Sequence, residues 1–119
     1  MSLTVVAVFT PRPGMGSRVI DAFRQVSPLV HDEAGCELYA AHLEQGADHV
    51  VMVERWTSRA ALDAHAAGAP LALLGELTQD LLERPYDVWF LQNVPLGDPS
   101  KGTIPTITTA AQAAEQDDR

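Results

Sequence analysis

The sequence predicts a small α+β domain, a four-stranded antiparallel sheet with helices on one face. Three observations predict it. Four short runs are rich in β-branched, aromatic and other apolar residues, and two longer stretches between them repeat apolar residues at helical spacing. The order of these runs is β-α-β-β-α-β. The middle two strands are separated only by 45-QGAD-48, the length of a hairpin connection.

The first strand is 3-LTVVAVF-9, and the breaker cluster 11-PRPGMG-16 ends it. Ser17 is placed to cap the helix that follows. Val19, Ile20, Phe23, Val26, Leu29 and Val30 then share one helical face, with Asp21, Arg24 and Gln25 opposite. Pro28 lies inside this run and is expected to kink or restart the helix, because it lacks a donor and crowds the preceding turn. Gly35 is a plausible stop. The hairpin follows as 36-CELYAAHLE-44 and 49-HVVMVERW-56. Thr57 or Ser58 caps a second helix through Ala60, Ala61, Leu62 and His65, interrupted by Gly68 and Pro70. A further helical stripe is Leu71, Leu74, Leu77 or Thr78, Leu81 and Leu82; Pro85 ends it, and 86-YDVWFLQNV-94 is the last strand. Together this is the ferredoxin-like split βαβ arrangement.

A chain of 119 residues suits one domain, placed at residues 1–95. After it the texture changes. Residues 96–119 are rich in Pro, Gly and polar residues and form either an arm laid on a partner, through TIPTITT, or a flexible tail. The net charge of −8, with no basic stripe, argues against nucleic acid as a partner. LTVVAVF is too short to span a bilayer and no basic segment precedes it, so no membrane association is expected. A lone cysteine, Cys36, excludes an intrachain disulfide and fits a reducing cytoplasm.

Side-chain alternation makes both faces of the sheet apolar. In the first strand Leu3, Val5, Ala7 and Phe9 oppose Val6 and Val8; in the third Val50, Met52 and Glu54 oppose Val51, Val53 and Arg55; in the last Val88 and Phe90 oppose Trp89 and Leu91. Two helices cover one face only. The other would exceed the apolar patch a soluble monomer usually exposes. A homodimer with C2 symmetry, packed sheet against sheet into a barrel-like core, is therefore expected.

The pieces 35-GCELYAAHLE-44, 53-VERWTSRAALDAH-65 and 94-VPLGDPSKG-102 carry a resemblance. Gly35, Cys36 and Tyr39, then Glu54 and Trp56, then Ser58, Ala61, Leu62 and His65 are similar, in order and spacing, to antibiotic biosynthesis monooxygenase (ABM) domains. The similarity covers about residues 3–95. It implies a dimeric α+β barrel and a monooxygenase that oxidises a phenolic, anthrone or quinol-type aromatic with O2, without a cofactor. It also implies two alternatives, a non-catalytic small-molecule-binding module of the same fold and a haem-degrading monooxygenase. One departure stands out. Typical sequences carry a second histidine shortly after the first, and 66-AAGAPLALL-74 has none.

His65 falls on the helix face shared with Ala61 and Leu62, the face that looks toward the sheet. It reads as a base or orienting donor in a cavity between helices and sheet, or else as a core histidine satisfied by Glu54 or by backbone. Glu54 shares the strand face of Trp56 and is the carboxylate expected to hold the imidazole. His65 and Glu54 are thus the catalytic candidates. Trp56, Tyr39, Tyr86 and Met52 are the candidates for substrate binding: two phenols for a quinone oxygen, a flat indole wall and a pliable thioether. Trp56 and Glu54 read equally as a strand-to-helix lock and a structural ion pair. Phe23, Trp89 and Phe90 read as core. His31, His42 and His49 lack metal-ligand spacing, so no metal site is expected. No glycine-rich nucleotide loop follows a strand, so no nucleotide cofactor is indicated.

Overall fold

The computed structural model describes residues 2–104. The elements follow the order β1 (Leu3–Phe9), α1 (Gly16–His31), β2 (Cys36–Leu43), β3 (Val50–Trp56), α2 (Arg59–Ala66), α3 (Ala69–Thr78) and β4 (Asp87–Gln92). The four strands form one antiparallel sheet in the order β2-β3-β1-β4. This is the expected ferredoxin-like α+β architecture. Among the described residues, no helix is long and apolar enough to cross a membrane.

The core lies between the sheet and the helices. Strand alternation sends Val5, Ala7 and Phe9 from β1, and Val50, Met52 and Trp56 from β3, into it. Helix α1 supplies Val19, Ala22, Phe23, Val26 and Val30, an apolar stripe at steps of three and four. Phe23 meets Phe9 edge to face with ring centroids 5.0 Å apart. Pro28 does not interrupt this helix. It sits on the exposed side, where the carbonyl deprived of its partner faces solvent. Ser17 is not the cap; the helix begins one residue earlier, and Met15 precedes it without a side-chain cap.

The second helical stretch is two helices rather than one interrupted helix. Ser58, not Thr57, caps α2: its Oγ accepts from the Ala61 N–H at 3.1 Å. Gly68 then occupies the cap position of α3, with Pro70 in its first turn, where a missing N–H costs nothing. The helix ends at Thr78, short of Leu81 and Leu82. Those two residues instead turn back to β1: the Arg12 N–H donates to the Leu81 carbonyl, the Glu83 N–H donates to the Thr10 carbonyl, and Pro11 and Leu82 form a lone bridge. The tie anchors the chain beyond α3 before it enters β4.

Strand β4 departs from expectation in burial. Trp89 and Phe90, read as core, are 51% and 57% exposed. They point to opposite faces of an edge strand: Phe90 borders the helix side, with the Arg59 guanidinium 5.4 Å from its ring, and Trp89 points to the side without helices. On the sheet's second face Val6, Val8, Val51 and Val53 are half-buried. The chain beyond β4 comes back to this face, since the Arg55 guanidinium donates to the Ile104 carbonyl. The expected arm, residues 96–119, runs beyond that point, and residues 105–119, with most of TIPTITT, lie outside the described residues.

One turn fixes how β2 enters the sheet. Gly35 has φ +82°, and a Cβ built there would stand 2.5 Å from Ala61 Cβ and 2.6 Å from Thr57 Oγ1. The Thr57 N–H donates to the Gly35 carbonyl at 2.9 Å, so the turn is pressed onto the start of α2. Both the left-handed conformation and the missing space demand glycine. Gly35→Ala should therefore lose about 2–4 kcal/mol of stability, strain and overpacking together, measured as a lower urea midpoint with an unchanged slope.

Candidate functional site

The site is built from the ends of three elements. Strand β3 alternates buried and half-buried positions, which sets Met52, Glu54 and Trp56 in one row under the helices. Strand β2 pairs Tyr39 opposite Glu54 and Cys36 opposite Trp56, with a register shift between Cys36 and Leu38. Helix α2, started by the Ser58 cap, brings Leu62 and then His65 down on the sheet side, where both are buried.

His65 is enclosed on several sides. Its ring lies against the Trp56 indole, centroids 4.4 Å apart and planes tilted by 30°. Tyr39 meets it edge-on at 5.8 Å. Its Nδ1 is 2.9 Å from Oε1 of Glu33. Its Nε2 is 4.0 Å from Oε1 of Glu54, beyond hydrogen-bond reach. Glu54 is itself engaged: the Trp56 indole Nε1–H donates to its Oε1 at 3.0 Å.

This arrangement corrects one expectation. The carboxylate holding the imidazole is Glu33, from the loop between α1 and β2, and not Glu54. The physical reason is reach. Trp56 is on the same strand face as Glu54 and two residues away, and its indole N–H donates to Glu54, which stops 4.0 Å short of the imidazole. Glu33 is 32 residues from His65 in the chain and has no periodic relation to it. One signal was present in the sequence. Asp32 and Glu33 stand together at the end of a helix, where the helix dipole disfavours negative charge.

Beside His65 lies a cavity of about 80 Å³ between the sheet, α2 and α3. Val5, Ala7, Leu62, Leu71 and Leu74 give it apolar walls, and Phe9, Tyr86, Val88 and Phe90 close the β4 side. Tyr86 stacks on Phe9 at 4.5 Å. The polar groups facing the space belong to His65, Glu54, Tyr39 and Tyr86. Four of the six residues singled out from sequence thus meet at one cavity. Trp56 and Met52 do not line it; both are fully buried, Trp56 behind the imidazole and Met52 further along the β3 row. Trp56 is a wall for His65 rather than for a ligand.

The electrostatics follow from burial. Glu54 is held above the usual carboxylate range, chiefly by desolvation and also by the charge of Glu33, although the Trp56 hydrogen bond and His65 pull the other way. The Tyr39 phenol is pushed far up by burial and then by Glu54, so it stays a neutral donor. Tyr86 is raised for the same two reasons. Burial, with Glu33 and Glu54 nearby, pushes the Cys36 thiol up to about 11. No Lys or Arg is among the residues lining the cavity; the Arg59 guanidinium lies 5.4 Å from the ring of Phe90, one of the residues that do. Among the described residues, no group of three or more His, Cys, Asp and Glu is arranged to hold a metal ion. The site can seat a neutral, largely apolar ring and present one imidazole, one carboxyl and two phenols to its oxygens.

The Glu54 shift makes a stability prediction. A carboxyl raised on folding leaves stability intact below its unfolded value and removes it as pH rises through the folded one. Glu54→Gln cannot ionise, and its side-chain carbonyl still accepts from Trp56. It should raise the melting midpoint by about 2–6 °C at pH 7–8 and change it little at pH 4, followed by calorimetry across that range.

Comparison with known proteins places this geometry. The sequence profile described as "Antibiotic biosynthesis monooxygenase" matches residues 2–71, which include Glu33, Tyr39, Glu54, Trp56 and His65. The chain is 36% identical to the probable quinol monooxygenase YgiN of Escherichia coli K12, across 68% of this chain and 89% of that protein. The structure of Rv0793 from Mycobacterium tuberculosis superposes with a TM-score of 0.73 at 29% identity, covering 84% of this chain and all of that one. A crystal structure of an antibiotic biosynthesis monooxygenase superposes at 0.72 with 28% identity, covering 78% of this chain and 99% of that one. With a profile match over more than half its length and a relative above 30% identity, the chain belongs to the antibiotic biosynthesis monooxygenase family.

Proposed function

We propose that this protein is a homodimeric monooxygenase that oxidises a phenolic, anthrone or quinol-type aromatic with O2, using His65 as the base. Its family and its quinol monooxygenase relative support a monooxygenase function. The observation that carries the finer reading is the buried imidazole of His65 facing an apolar cavity beside Glu54, Tyr39 and Tyr86.

The chemistry needs little from the protein. Triplet O2 reacts poorly with closed-shell organic molecules. A phenol or quinol that gives a proton to His65 becomes electron-rich and passes one electron to O2; the resulting radical and superoxide then combine into a peroxide. At an anthrone-type CH2 carbon, loss of water from that peroxide leaves a carbonyl, so one oxygen atom enters the product and the other leaves as water. The reading needs no cofactor. Apolar walls exclude water and strengthen the polar contacts that remain. Tyr39 and Tyr86, held protonated, donate to the substrate oxygen. A cavity of about 80 Å³ favours a small aromatic over a haem macrocycle. The lone Cys36, kept as a thiol, is at home in a reducing cytoplasm.

Two measurements test this reading. His65→Ala should cut O2 uptake with 1,4-dihydroxynaphthalene by about 100-fold or more while the fold survives. A variant that is destabilised by about 1–3 kcal/mol yet keeps its specific activity would make His65 a core residue instead. Sedimentation at micromolar concentration should give the mass of a dimer, because the apolar residues on both faces of β4 need cover. The interface should bury on the order of 2,000 Å² or more. A monomeric mass would refute the sheet-to-sheet assembly.

A further inference from the structure

We infer that Glu33 is a positioning residue for His65: it holds the proton on Nδ1 and so leaves Nε2 as the nitrogen that accepts a proton from the substrate. The inference rests on His65 being the base, and it adds which atom acts and what selects it.

The case begins with hydrogen bonding. A neutral imidazole has one donor nitrogen and one acceptor. The nearest partner of Nδ1 is a carboxylate oxygen at 2.9 Å, and a carboxylate accepts. Nδ1 is therefore the donor. Nε2 is left with its lone pair, and its nearest acidic oxygen, on Glu54, stands 4.0 Å away. That gap is longer than a hydrogen bond, and both groups border the cavity. Glu54 makes no hydrogen bond to the ring from that distance; its Oε1 accepts from the Trp56 indole N–H at 3.0 Å.

The rest of the neighbourhood holds Glu33 in place. Its N–H donates to the Val30 carbonyl at 2.9 Å, and its own carbonyl accepts from the Cys36 N–H at 3.2 Å. Two residues on, Gly35 presses the loop onto Ala61 and Thr57 of the α2 start. Oε2 of Glu33 lies where a Cβ on Gly68 would be only 3.3 Å away, so the end of α2 is shaped to admit the carboxylate. The ring that receives this hydrogen bond is also stacked on Trp56 and met edge-on by Tyr39, which limits its rotation. A half-buried carboxylate just past a helix C-terminus is an unfavourable placement in itself. Anchoring the imidazole is what it accomplishes there.

The test separates orientation from catalysis. Nitrogen-15 NMR of the imidazole identifies the protonated ring nitrogen without any turnover. In the wild type the neutral imidazole of His65 should carry its proton on Nδ1. Glu33→Gln keeps a carbonyl acceptor and should keep that tautomer, with kcat for O2-dependent oxidation of 1,4-dihydroxynaphthalene within about 3-fold. Glu33→Ala should populate the Nε2–H form and lower kcat by about 10-fold or more, with KM nearly unchanged. Glu33→Ala with the tautomer and kcat both unchanged would overturn the inference, as would a wild-type His65 protonated on Nε2. If Glu33→Ala fails to fold, the wild-type tautomer and Glu33→Gln still decide it: a Gln variant that loses the Nδ1 proton refutes an anchoring acceptor. A tautomer that responds as expected in a protein with no quinol oxidation at all would sustain the anchoring role and sink the oxygenase reading alone.

Discussion

A hydrogen bond between a loop carboxylate and a buried histidine ties this domain together at its working end. Glu33 leaves the end of α1, and His65 sits in the last turn of α2. Their contact joins the two halves of the βαβ repeat over the far end of β3. Without it the Nδ1–H of the buried imidazole would also go unpaired, a cost of about 1–3 kcal/mol. The turn at Gly35, the cap at Ser58 and the break at Gly68 all serve to bring these two side chains within reach. Trp56 completes the enclosure from below. The cavity exists because α2 and α3 are separate pieces that bracket it, with His65 and Ala66 ending one and Leu71 and Leu74 rising in the next.

Most of the architecture was legible in the chain. Period-two alternation in LTVVAVF and VVMVERW, and the three-four spacing from Val19 to Val30, named the strands, the helix and the inward faces. What alternation reads poorly is the edge. Trp89 and Phe90 have the composition of core residues, yet they lie on a border strand and are more than half exposed in one chain. Helix caps were legible only by type: Ser58 caps and Ser17 does not, because the chain before Ser17 already turns through Gly14 into helix.

The site was legible in part for a similar reason. Residues on one strand or one helix declare their shared face, so His65, Glu54, Tyr39 and Tyr86 converge as the parity of their elements requires. Glu33 declares nothing by period, since a loop has none. Its position is set by the long-range packing of Gly35 on Ala61, a contact across 26 residues that local pattern does not encode. Trp56 and Met52 were placed on the correct face but one layer too near the ligand. Parity gives direction and not depth, and depth depends on how far α2 stands from each point of the sheet.

The placement of Cys36 bears on how such a site endures its own chemistry. Cys36 pairs across the sheet with Trp56, in the neighbourhood of Glu33 and Glu54. Sulfur is attacked by peroxides and other reduced forms of oxygen chiefly as the thiolate. With the thiol pushed up to about 11, the anion is disfavoured at neutral pH. Burial first, and then the charges of Glu33 and Glu54, suppress the anion of the chain's single cysteine. The one cysteine of the chain is thereby held in its less reactive, protonated form.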